Sequence, residues 1–144
     1  RRLTLHSEGL QAVAGCIETR LRHEGVQWDA VAGPSIGADP IIGALVCQSA
    51  GMLGFMVRSE AKSHGAGKRV EGQTDKIAGR KIVVVEDVIT SGGSVLTAAN
   101  EIISIGGEVV AIVGVLDRNQ GGYDAIVKAG FRYFPIVNLG EVIL

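Results

Sequence analysis

Apolar positions along the chain switch between two periods. Over residues 7–24, Leu10, Val13, Ala14, Ile17 and Leu21 recur at helical spacing, and Gly25 stands where such a helix would stop. Residues 28–32 form a short apolar strand that runs into the turn Gly33-Pro34-Ser35-Ile36-Gly37. A second helix is predicted over about 40–50, followed by a strand at 55–58. Residues 59–79 are polar, basic and glycine-rich, an irregular stretch long enough in so small a domain to point to function.

The strongest strand signal is Lys81-Ile82-Val83-Val84-Val85-Glu86-Asp87. A continuous β-branched run suits a central parallel strand, which is buried on both faces. Thr90-Ser91-Gly92-Gly93-Ser94 turns the chain into a third helix, with Val95, Leu96, Ala99, Ile102 and Ile103 as its predicted inward stripe. Gly106-Gly107 ends it. A buried strand at 109–116, a short helix at 123–129 and a last strand at 133–137 complete the pattern. The alternation predicts one doubly wound α/β domain over residues 1–144, with a mainly parallel sheet flanked by helices and ligands at the carboxyl ends of the strands.

Composition narrows the class. The chain has 144 residues, 47% hydrophobic and 20% charged, with a formal net charge of -1. Such a chain is not intrinsically disordered and has no bulk positive charge for nucleic acid. Its 21 glycines follow no three-residue period, which excludes collagen. No apolar run reaches membrane-spanning length, and the start Arg1-Arg2-Leu3-Thr4 has no signal-peptide core. The chain starts without Met, so residues upstream are expected. Cys16 and Cys47 lie in apolar helical patterns and are expected to be buried free thiols in a reducing, cytoplasmic setting.

Residues 83–94, V-V-V-E-D-V-I-T-S-G-G-S, hold the clearest chemistry. Thr90, Ser91 and Ser94 supply hydroxyl donors. Gly92 and Gly93 permit close backbone approach, and a helix start offers unpaired N–H groups. These parts make a phosphate cradle. Glu86 and Asp87 would repel a phosphate, so sugar hydroxyls or a cation are better partners for them, and a phosphorylated sugar fits the whole. The Walker pattern G-x-x-x-x-G-K-[ST] is absent. Gly33-Pro34-Ser35-Ile36-Gly37 matches the G-x-S-x-G elbow of α/β hydrolases, but no acid-then-histidine order follows it. Ser35 is better read as a loop donor to phosphate.

Residues 83–94 resemble the phosphoribosyl pyrophosphate signature of the type I phosphoribosyltransferases. In that family the two acids contact the ribose 2- and 3-hydroxyls, and the following loop, here Thr90 to Ser94, holds the 5-phosphate. Residues 57–67, with Val70-Glu71-Gly72 after them, resemble the mobile catalytic loop of the orotate phosphoribosyltransferases. Residues 32–40 resemble that family's pyrophosphate loop, which involves Ser35, Ile36 and Gly37. Asp117-Arg118-Asn119-Gln120-Gly121-Gly122 resembles its pyrimidine-contacting segment. The four segments occur in family order over nearly the whole chain.

The resemblance implies transfer of 5-phosphoribosyl from phosphoribosyl pyrophosphate to orotate, giving orotidine 5′-monophosphate and pyrophosphate. Lys62, His64 and Asp87 are the implied catalytic residues, with Arg58 a further cation beside the loop. Gly65 and Gly67 would let that loop open and close. Mg²⁺ would neutralise pyrophosphate oxygens with few protein ligands. A guanidinium at Arg118 could bind a carboxylate or carbonyl of the base, or form an ordinary strand-end salt bridge. The loop is expected to reach a neighbouring subunit's site, which implies a homodimer, with no nucleic-acid or membrane partner. His6 and His23 read as surface residues.

Three departures stand out. Arg58-Ser59 replaces the family's usual Arg-Lys, and Asn119-Gln120 its Gln-Glu. The family's N-terminal portion, which helps cover orotate, would precede Arg1. The alternatives are a paralogue acting on another base and a non-catalytic sensor of phosphoribosyl pyrophosphate or a nucleotide.

Overall fold

The computed structural model describes residues 2–60 and 68–141. Helix α1 is Ser7–His23, and strand β1 is Ala30–Pro34. Helix α2 (Asp39–Gln48) then leads to β2 (Leu53–Val57) and the two-residue β3 (Val70–Glu71). The centre is β4 (Lys81–Ile89), α3 (Gly93–Ser104) and β5 (Glu108–Asp117). Helix α4 (Gly122–Lys128) and β6 (Tyr133–Asn138) complete the order. A single-turn 3₁₀ helix, Thr74–Lys76, precedes β4.

The strands form one sheet in the order β3-β2-β1-β4-β5-β6. All pairs are parallel except β2 with β3. The chain runs outward from β1 to β2, then returns to lay β4 on the other side of β1. Between β1 and β4 the winding reverses, so the loops leaving these two strands diverge and open a crevice at their carboxyl ends.

Each face of the sheet carries two helices because strand side chains alternate. Val31, Val83 and Val85 pack with Val13, Ile17 and Leu21 of α1 and with Ile41 and Leu45 of α2. Ala32, Ile82 and Val84 pack with Val95, Ala99 and Ile102 of α3 and with Ile126 of α4. Both layers are nearly all aliphatic, and the doubly wound architecture expected from the alternating pattern is the one observed. No helix among the described residues is long and apolar enough to cross a membrane.

Several expectations need correction. Cys16 and Cys47 are free but exposed, on the outer faces of α1 and α2. The stripe of α3 is Val95, Ala98, Ala99 and Ile102, while Ile103 is exposed and Leu96 only partly buried. Small Ala98 lies against the sheet, and that rotates the helix relative to the larger side chains. Strand β4 does not end at the acid pair. Val88 and Ile89 continue the ladder opposite Leu116 and Asp117 of β5. Trp28 precedes β1 instead of starting it and packs partly buried on the α1–α2 side.

Candidate active site

The base of the crevice between β1 and β4 is narrowed by contacts that only glycine allows. A Cβ on Gly33 would collide with the Val85 carbonyl oxygen and the Ala38 side chain. One on Gly37 would collide with the Asp87 carboxylate. The loop after β1 therefore lies directly against the end of β4. In that loop the Ser35–Ile36 peptide is cis, and the Ser35 hydroxyl donates to Asp39 Oδ1 at 2.9 Å.

Beyond the acid pair, Gly92 takes a left-handed conformation (φ 84°) and starts α3. Among the described residues no side chain caps this helix. The Gly93 amide meets the Ser91 hydroxyl oxygen only at 3.4 Å, so the first-turn N–H groups keep most of their capacity for a ligand. Glu86, Thr90, Ser91, Gly92, Gly93 and Ser94 line a small cleft of about 70 Å³ here. The structure thus brings together the residues that the sequence reads as a phosphate cradle.

The two acids differ. Asp87 is half-buried and accepts the Val88 amide at 2.9 Å through its own Oδ1. Glu86 is buried, and its Oε1 accepts the Asp87 amide at 3.2 Å. Burial, followed by the side-chain contact with Asp87 and its charge, pushes the Glu86 carboxyl from 4.5 up to about 8. Near neutrality Glu86 is therefore mostly protonated. The pair presents less negative charge to a phosphate than two carboxylates would.

A wider groove of about 490 Å³ adjoins the loop after β1, lined by Ser35, Ile36, Asp39, Arg58 and Glu71 among others. Arg58 is exposed, and its guanidinium meets Glu71 at 3.4 Å. This pairing follows from the antiparallel register of Met56 with Glu71 and Val57 with Val70. The Arg58 amide also donates to the Arg69 carbonyl at 2.8 Å. Lys62 and His64, with Gly65 and Gly67, lie outside the described residues.

Arg118 follows β5, exposed, with its amide donating to the Ile89 carbonyl at 2.9 Å. Among the described residues its side chain forms no salt bridge. Gly122 packs against Thr90 and Gly92, where a Cβ would stand 2.8 Å from the Thr90 carbonyl oxygen. The segment resembling the pyrimidine contact thus sits directly beside the cradle. His6 and His23 are exposed, as expected. A still larger cavity of about 690 Å³ lies away from this crevice, between the β3 region and α3, and is lined by Arg69, Asp75 and Glu101 among others.

Sequence reading assigned no role to Asp39, to the Glu71 pairing or to Tyr133. The partner of Arg58 emerges only once β3 is seen to pair with β2. The reach of Tyr133 depends on β6 lying beside β5, and no local pattern announces either contact.

Residues 2–135 match the phosphoribosyl transferase domain model. The orotate phosphoribosyltransferase of Pyrococcus furiosus is 39% identical over 142 residues, which cover 99% of this chain and 76% of that protein. That of Rhodopirellula baltica is 41% identical over 149 residues, 98% of this chain and 76% of the relative. The chain belongs to the orotate phosphoribosyltransferase family. Solved members of the family share the fold. The Mycobacterium tuberculosis H37Rv orotate phosphoribosyltransferase, crystallised with Fe(III) dicitrate, superposes with a TM-score of 0.87 at 33% identity, covering 100% of this chain and 81% of that one. The same enzyme in complex with 5-phospho-α-D-ribosyl 1-diphosphate gives 0.83 at 31% identity, over 97% and 79% of the two chains.

Proposed function

We infer that the chain catalyses the orotate phosphoribosyltransferase reaction, a step of pyrimidine nucleotide synthesis. The observation that carries this reading is the β4–α3 unit. Glu86 and the helix start of α3 line one small cleft, and the adjoining Asp87 stands against Gly37 of the neighbouring loop.

The reaction breaks the bond between the ribose anomeric carbon and a pyrophosphate oxygen, which leaves with the electron pair. A new bond forms from the same carbon to a ring nitrogen of the base. Positive charge grows on the sugar and negative charge on the leaving group, so positioning and electrostatics supply most of the catalysis. The amides and hydroxyls of residues 90–94 hold the 5-phosphate, and Asp87 and Glu86 bind the ribose hydroxyls. The loop after β1 and Arg58 face the pyrophosphate, with Lys62 and His64 as the further cationic and donor groups. Arg118 binds the orotate carboxylate.

Mg²⁺ fits this arrangement as a companion of the substrate. No cluster of three or more metal-ligating side chains exists among the described residues. A hard cation that travels with the substrate would need only one or two carboxylates from the protein, and Asp87 would serve as one. When bound, it neutralises charge on the leaving group. A homodimer in which the 57–67 loop serves the neighbouring site, in the cytoplasm, completes the proposal.

The test is purified full-length protein with orotate, phosphoribosyl pyrophosphate and Mg²⁺, followed by orotate absorbance and by pyrophosphate release. Loss of orotate that needs both the donor and Mg²⁺ is expected. Consumption of another base in its place would overturn orotate as acceptor. Ser59, standing where the family commonly has a lysine, supports the sensor reading: tight donor binding with no transfer to any base would establish it.

A further inference from the structure

Tyr133 opens β6 in register with Ile112 of β5, yet its side chain serves the far end of that strand. Its hydroxyl donates to Asp117 Oδ2 at 2.9 Å. Asp117 is completely buried, and its other oxygen accepts the Asn119 amide at 2.8 Å. Gly114 makes room for this reach, since a Cβ there would stand 2.5 Å from the Tyr133 hydroxyl. The Tyr133 ring also meets Tyr123 edge to face, with centroids 5.5 Å apart. Tyr123 lies in the first turn of α4. One aromatic side chain therefore touches both ends of the segment carrying Arg118.

A buried carboxylate is costly unless it is fully hydrogen-bonded, and an apolar pair of similar volume would pack as well. What the polar pair adds is direction. The two bonds on Asp117 orient the backbone as it leaves β5, while Arg118 is held to Ile89 and Gly122 to the turn at Thr90. Burial and the neighbouring Asp117 hold the Tyr133 phenol above its ordinary range, so it remains a donor throughout physiological pH.

We propose that Asp117 and Tyr133 are positioning residues for the acceptor. Their buried hydrogen bond fixes the 118–121 turn, and with it the Arg118 guanidinium, relative to the phosphate cradle. The class of acceptor, an anionic base bearing a carboxylate, rests on the orotate reading; the ordering of the turn does not.

Tyr133→Phe in the full-length protein tests this, because the ring and its packing stay. The KM for orotate should rise roughly tenfold, while kcat and the KM for phosphoribosyl pyrophosphate stay within about twofold. Amide exchange at residues 118–121 should quicken while the core strands keep their protection. Equal shifts in both KM values, or unchanged exchange in the turn, would overturn the proposal. Asp117→Asn keeps one acceptor oxygen and should show the same pattern more mildly; if Tyr133→Phe fails to fold, this variant decides by the same readings. If the wild-type protein does not consume orotate, exchange at 118–121 still decides on the turn, and only the acceptor assignment falls.

Discussion

Gly92 and Gly121 occupy equivalent places, each a left-handed residue immediately before a helix, at φ 84° and 93°. Their surroundings differ. A Cβ on Gly92 would stand 3.3 Å from both the Gly122 carbonyl oxygen and Ile126, whereas one on Gly121 would meet none of the described residues within 4 Å. The same contrast runs through the two halves of the cleft. The donor half of the proposed site is a single strand, turn and helix whose backbone would do the binding, packed from behind. The acceptor half hangs an exposed turn on a buried pair, one member of which, Tyr133, comes from the neighbouring strand. A phosphate read by amides requires rigidity in a contiguous stretch. A base read by side chains can rest on distant support.

Glu86 offers the strongest way to break this comparison. In an unfolded chain it titrates near 4.5 and in the fold near 8, so between those values the folded protein holds more protons. Stability should be greatest at the acid end of that window, fall as pH rises through it, and level off above about 8, by on the order of a few kcal/mol in all. Urea midpoints from pH 5 to 9 measure the slope. Glu86→Gln should flatten it, and a slope left intact would show that the donor half is not strained by its buried acid. A smaller effect is expected of Asp87→Asn, which should weaken phosphoribosyl pyrophosphate about tenfold by calorimetry. Orotidine monophosphate, which shares the phosphoribosyl group, should weaken alongside it. Loss confined to orotate would reverse the donor and acceptor assignments. Smallest is the glycine pair itself: Gly92→Ala should destabilise more than Gly121→Ala, by on the order of 1 kcal/mol in thermal or urea unfolding. Equal losses would mean the packing behind the cradle contributes little.

How much of this could be read from sequence follows the same division. Residues 81–94 declared strand, turn and helix because their signals are local: a β-branched run, then hydroxyls and glycines. Even there the strand outran its apparent end, because Val88 and Ile89 find partners on β5. The stripe of α3 was displaced by one position through Ala98, whose small size counts for little in a hydrophobic pattern and for much in close packing. Two-residue β3 has no periodicity to detect. Exposure of Cys16 and Cys47 depended on which faces of α1 and α2 met the sheet. Arg118 was visible as a cation after an apolar strand, but the Tyr133–Asp117 bond beneath it spans 16 residues of chain and one sheet register.

The close approach of Gly33 to the Val85 carbonyl has a mechanical consequence. The gap between the two loops is set there by backbone resting on backbone, with no ion pair to loosen in salt and no proton to lose. The crevice is therefore a fixed gauge, keeping its width while Glu86 beside it changes charge. Any side chain at position 33 would reset that gauge before it touched a single ligand atom.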